Sequence, residues 1–208
     1  MTRTDRRRAA PMAPDDRRRA IVDAVVPLLL RHGDDVSTKQ IAEAAGIAEG
    51  TIFRVFPDKP ALLLAAAEET MNPKDGGAEL EAALAGHDDL RERVRITTDR
   101  MIERSDRVNV VMMALRRIWM SQPPKRRHQG GPPAFFNEAN RNLQVMLTRV
   151  FEPHADELRV DPSTAATLLR TLVLGSRHPG VDPETRLTAE QIVDALLDGI
   201  RTRSEKGD

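Results

Sequence analysis

Residues 37–63 read STKQIAEAAGIAEGTIFRVFPDKPALL. Ser37 or Thr38 is placed to cap a helix that ends at Gly46. A second short helix is predicted from about Ala48 to Val55. Pro57-Asp58-Lys59-Pro60 then opens another, with Asp58 as its cap and a body from Ala61 to Thr70. A packed core alone does not need helices this short and this close together. Their residue types suit a helix-turn-helix. Ile41 and Ala42 are apolar and compact where the next helix must cross close above them. Gly46, four residues after Ala42, supplies a left-handed turn at low steric cost. Ile47 and Ile52 fold the following helix back onto its predecessor. Glu49, Gly50, Thr51, Phe53 and Arg54 are left on or near its outer face. A helix this short is marginal alone. Holding it rigidly is worthwhile if its N-terminal end reads base edges in a major groove.

Upstream, a helix is predicted to start after Asp15 or Asp16, to bury Ile21, Val25, Leu28 and Leu29, and to end at His32-Gly33. Pro27 inside it removes one backbone hydrogen bond, which predicts a bend near Asp23 to Pro27. The chain of 208 residues has a formal net charge of zero, but charge is unevenly spread. Residues 1–19 hold seven arginines against three aspartates, an excess of four positive charges. Such an end suits phosphate contacts. The plainer alternative for Arg3 to Arg8 is a solvated tail.

The run from Ile21 to Ala67 resembles the N-terminal domain of tetracycline-repressor-like (TetR family) transcription regulators. The segments LLLRHG, STKQIAEAAGI, EGTIFRVF and PDKPALLLA carry the resemblance, in order and at matching spacing. They cover under a third of the chain. The resemblance implies that Thr38 and Lys39 touch a phosphate or a base edge. It implies that Glu49, Gly50 and Thr51 face the groove and that Lys59 holds a phosphate. Hydroxyls and helix N-termini do suit phosphate oxygens. Three positions depart from the family pattern. Glu49 puts an acid beside DNA, where it is repelled unless it accepts from a cytosine amino group. Phe53 stands where tyrosine is frequent and lacks the hydroxyl. Val55 stands where histidine or tyrosine is frequent. With these changes Arg54 and the arginines at 17–19, Arg17 among them, carry more of the binding.

The rest of the chain also reads as helix, since few segments alternate with period two. The predicted fold class is all-α. A flexible basic arm (1–14) precedes a helix-turn-helix domain (15–70), and a helical effector-binding and dimerisation domain (78–203) follows a breaker-rich joint, Asn72 to Gly77. Helical patterns cover Ala78–Ala85, Asp88–Asp106, Val108–Met120, Pro133–Phe151, Pro162–Arg177 and Thr188–Arg203. Residues 122–132, with three prolines and two glycines, read as a mobile loop.

Ser163–Ser176 is apolar nearly all round, and the last helix carries Ile192, Val193, Leu196, Leu197 and Ile200. Such helices must be covered. The family resemblance implies that they pair with their copies in a four-helix bundle. Ala165, Leu168, Leu172, Gly175, Ile192, Leu196 and Ile200 would form the homodimer interface. The alternative is the core of a monomer. A two-fold dimer implies a palindromic double-stranded operator with half-sites about 34–36 Å apart, or a multiple of that. The middle helices hold Met101, Met112, Met113, Arg116, Trp119, Met120, Phe135, Phe136 and Met146. The resemblance implies a small-molecule effector pocket there, and methionines and aromatics make adaptable apolar cavities. The alternative is plain core packing.

Other chemistry is hard to find. The chain has no cysteine, which excludes disulfides, thiol nucleophiles and cysteine-ligated zinc. The five histidines (32, 87, 128, 154, 178) are scattered without metal-ligand spacing. No glycine-rich phosphate loop and no Gly-x-Ser-x-Gly elbow is present. No enzyme, cofactor or metal is expected. No apolar run approaches the ~18 residues of a membrane span, and the arginine-rich start lacks a secretory apolar stretch, so an intracellular, cytoplasmic location is expected. The reading is a ligand-responsive DNA-binding regulator, a repressor released from its operator by a small apolar or amphipathic molecule. The alternatives are a DNA-binding dimer without an effector, or a helical dimer acting through protein contacts.

Overall fold

A computed structural model describes residues 13–71, 76–121 and 134–200. Most of the basic arm, part of the 72–77 joint and the 122–132 loop lie outside the described residues. Helix α1 (Pro14–His32) starts one residue ahead of the expected aspartates, with proline at its first position, where the missing N–H costs nothing. Asp15 and Asp16 occupy the first turn, facing the positive end of the helix dipole. The helical run passes through Pro27 without interruption. Pro27 and Asp23 are both exposed, so the Asp23 carbonyl that loses its partner is open to water.

Helix α2 (Thr38–Ala44) begins with a reciprocal cap. The Ser37 hydroxyl accepts from the Gln40 backbone N–H at 3.2 Å, and the Gln40 side chain accepts from the Ser37 N–H at 2.8 Å. It ends in a Schellman turn: the Ile47 N–H reaches the Ala42 carbonyl at 3.0 Å and the Gly46 N–H reaches Glu43 at 3.2 Å. Gly46 has φ +67°, and a side chain there would meet no neighbour. Gly46→Ala therefore carries only the backbone cost, about 1–2 kcal/mol. Thermal melting by circular dichroism should show a fall in Tm of several degrees.

Helix α3 (Glu49–Val55) follows, then α4 (Lys59–Met71), whose first turn is capped by Asp58 accepting from the Ala61 N–H at 2.8 Å. Helix α5 spans Gly76–Leu84. Helix α6 (Leu90–Ser121) is one helix of 32 residues where the sequence pattern suggested two. The polar stretch Asp106-Arg107 imitates a break but contains no proline or glycine. Arg107 pairs with Glu103 one turn back at 3.7 Å, and Asp106 approaches Arg186 at 3.9 Å. Helices α7 (Ala134–Phe151), α8 (Pro162–Ser176) and α9 (Ala189–Ile200) complete the described residues. Asp161 caps α8, accepting from the Thr164 hydroxyl at 2.6 Å and its backbone N–H at 3.0 Å. These two bonds hold the Asp161 carboxyl below the usual carboxylate range.

Two apolar cores result. The first joins Ile21, Val25 and Leu29 of α1 to Ile41, Ala42, Ile52, Phe56 and Leu62, and takes Val111, Ala114 and Leu115 from the far half of α6. The second joins the near half of α6 (Leu90, Val94) to Leu147, Phe151, Leu169, Val173 and α9. Asn109 fastens α6 to the end of α8 by donating to the Arg177 carbonyl at 2.7 Å.

The second core corrects part of the expected dimer interface. Ala165, Ile192, Leu196 and Ile200 are buried inside the protomer, with exposures of 0%, 0%, 2% and 6%. Helix α9 lies with its apolar stripe on α6 and α8, so that stripe is already covered. Leu172 is half-buried against the same core. Only Leu168 and Gly175 of the seven candidates are exposed, and they share the outer face of α8 with Leu174, Thr167 and Thr171.

Candidate nucleic-acid interface

The outer side of the α2–α3 pair holds most of the candidate DNA contacts. Ile52 is buried at 1% exposure and pins α3 against Ile41 and Ala42. With that face inward, Gly50, Phe53 and Arg54 emerge exposed and Thr51 half-buried. Phe53 is 52% exposed, a large apolar ring presented to solvent beside an arginine. A ring so placed can meet a sugar or a thymine methyl but can donate nothing to a phosphate.

Three candidates make side-chain bonds within the protein. The Thr38 hydroxyl donates to the Glu49 carboxylate at 2.6 Å, which links the first turns of α2 and α3. Glu49 thus keeps one oxygen on protein and one free to accept, while Thr38 is no longer an idle donor. Lys59 is half-buried and its Nζ donates to the Val36 carbonyl at 2.6 Å. The ammonium carries three donors, so a phosphate contact remains open to it, but its first role is to stitch α4 to the segment before α2. Lys39 is exposed at the start of α2.

Arginines of α1 approach from the other side. The Arg18 guanidinium lies 4.6 Å from the centroid of the Phe56 ring, a cation–π contact at the junction of α3 and α4. Arg17 is half-buried and Arg19 exposed. The arrangement is a rigid two-helix head with a cationic flank, able to position against phosphates and present short side chains to base edges.

The expected effector residues do not converge. Met112 and Phe135 pack against the first core. Phe135 and Phe136 stack on each other at 4.6 Å. Met113, Arg116 and Met120 are exposed. The Trp119 side chain lies outside the described residues. Met101 and Met146 alone line a common hollow, of about 520 Å³, whose other walls are α1, α4 and α5. A second hollow of about 550 Å³ on the other side of α5 shares Leu80, Arg104 and Met146 with it. The expected residues are thus spread between the first core, the surface and this hollow. Arg104, not among the expected residues, lines both hollows, and it shares one face of α6 with Arg100 and Arg107.

Comparison with known proteins agrees with this geometry. Residues 21–66 match the family model described as bacterial regulatory proteins, tetR family. The chain is 27% identical over 196 residues to the HTH-type transcriptional repressor KstR of Rhodococcus jostii strain RHA1, covering 91% of this chain and 87% of that one. It is similar in fold to the crystal structure of a TetR transcriptional regulator from Streptomyces coelicolor, with a TM-score of 0.63 and 26% identity over 90% of this chain and 99% of the other. A likeness in fold alone extends to SmeT, the repressor of a multidrug efflux pump in Stenotrophomonas maltophilia (TM-score 0.55, 22% identity, 90% and 91% covered). The head built from α1 to α4 is the tetR-family N-terminal module, and the all-helical architecture that follows it is TetR-like.

Proposed function

We propose that this chain is a transcription regulator that binds a palindromic operator as a homodimer, represses from it, and leaves it when a small amphipathic molecule binds. One observation carries the DNA-binding reading: the seven-residue α3, too short to stand alone, is held by a capped α2, the Schellman turn that joins them and one buried isoleucine, so that Gly50, Phe53 and Arg54 stay outward. Nothing in the cores requires that outward face. The dimer reading is supported by α8. Leu168 and Leu174 remain 38% and 41% exposed there, flanked by threonines and Gly175 that allow close approach. A two-fold pairing through this face would present two α3 helices to successive major grooves.

The test is fluorescence anisotropy with a labelled duplex from upstream of the chain's own gene and a scrambled duplex, at several salt concentrations. Tight binding to the first alone, with a steep negative salt slope, is the expected result. Equal weak binding to both duplexes, and to every site recovered from a genome-wide selection, would overturn the reading. Thr51→Ala should weaken the specific complex by about 1–2 kcal/mol and the scrambled one hardly at all. Equal loss on both would remove Thr51 from the groove. Leu174→Arg should give folded monomers of 23.2 kDa by light scattering, because the site is on the surface of the protomer. A dimer that survives this substitution would place the interface elsewhere.

A further inference from the structure

The 520 Å³ hollow lies between the two modules rather than within one. One wall is α1 of the DNA-binding head, through Val22, Val26 and Leu30, and the opposite wall is α6 and α7, through Met101, Arg104 and Met146. Its size is that of a small-molecule site. Leu30 faces it while 52% exposed, although the neighbouring Leu28 and Leu29 are buried. Apolar surface left open in a concavity is stabilised when an apolar chain covers it.

The polar end of the hollow specifies charge. Arg104 is half-buried and donates through Nη2 to the Met71 carbonyl. No carboxylate among the described residues pairs with it. Burial, and the positive charge of Arg107 one turn away, both hold its guanidinium below the usual arginine range. A cation in that setting is completed by an anion, and its planar fork matches a carboxylate. Of the other charged groups lining the same hollow, Arg100 and Arg107 add positive charge, and Asp23, Glu69 and Glu79 offset it. These carboxylates disfavour a doubly charged head such as a phosphate monoester and leave a single negative charge as the better fit.

Resting on the regulator reading above, we propose that this hollow binds an aliphatic carboxylate, its head on Arg104 and its chain between α1 and the two methionines. A ligand so placed touches the reading head directly. It adds contacts across the α1–α6 gap, so it favours one setting of the head over others, and a differential affinity of this kind is what coupling to DNA requires.

Isothermal titration calorimetry on the full chain with decanoate and with 1-decanol tests the assignment. Decanoate should bind at least tenfold more tightly than decanol. Arg104→Gln should abolish that preference, and Arg104→Lys should keep part of it. Leu30→Glu, at an exposed position that the fold does not need, should weaken decanoate binding tenfold or more. Equal binding of acid and alcohol, or an unchanged preference in Arg104→Gln, would overturn the charge assignment. Unchanged binding in Leu30→Glu would overturn the location, and no binding of decanoate at millimolar concentration would overturn both. Operator anisotropy with and without decanoate separates this from the regulator reading. Decanoate that binds without altering operator affinity keeps the site and removes its effector role. A chain that binds no operator in any condition removes the regulator reading, while calorimetry still decides the site.

Discussion

Leu196→Arg should unfold the C-terminal module rather than release folded monomers. Leu196 is 2% exposed in a core built by Val94, Leu169, Val173 and Ile192. Removing its side chain from that core costs about 2–5 kcal/mol through lost burial and cavity formation. A guanidinium without a carboxylate in the same place adds several kcal/mol more. The sum, roughly 5–10 kcal/mol, is comparable with the ~5–15 kcal/mol that holds a typical domain together. Circular dichroism at 25 °C should show a large loss of helix, and size exclusion should show aggregate. A folded monomer with native helical content would mean that Leu196 faces a partner after all. The contrast with Leu174→Arg is the useful part, since both carry the same new charge and differ only in which face of the α8–α9 layer receives it.

Ile52→Ala should disable the reading head while leaving the rest intact. This side chain is the buried anchor of α3. Truncation to alanine costs about 2–5 kcal/mol at a well-packed site. The penalty falls on a seven-residue helix that has little stability of its own. Most of it therefore appears as local undocking, and each 1.4 kcal/mol is a factor of ten in operator affinity. Anisotropy should report a loss of about 100-fold or more, with light scattering unchanged. Hydrogen exchange should quicken in residues 49–55 alone. Full operator affinity in this variant would show that α3 needs no anchor, and the helix-turn-helix reading of the site would fall with it.

The sequence was most legible where the physics is local. Ser37 with Gln40 and Gly46 at its turn depend on neighbours within about two helical turns, and Ile41, Ala42 and Ile52 on the fixed spacing of one helix-turn-helix; each is found in the expected place. It was less legible where a side chain's fate depends on distant partners. An α8 that is apolar nearly all round cannot announce which face goes inward, so Ala165 and Leu168 looked alike although one is buried and the other exposed. The soft residues of α6 could not be sorted into core and cavity lining from the sequence. Met112 was taken up by the first core, while Met101, three turns earlier, lines the hollow. Thr38 with Glu49, and Lys59 with Val36, are contacts across a fold and could not be read along a line.

Helix α6 also limits how the chain can be cut and recombined. At 1.5 Å per residue it is about 48 Å long, and its last third supplies Val111, Ala114 and Leu115 to the core beneath α1 and α4. A head excised after Met71 would leave the apolar undersides of α1 and α4 facing water. Grafting this head onto the sensor of another regulator should succeed only if the recipient's own long helix offers three small or branched apolar residues at the same spacing. Compatibility between donor and host is thus written near residues 111–115, some forty residues beyond the apparent seam.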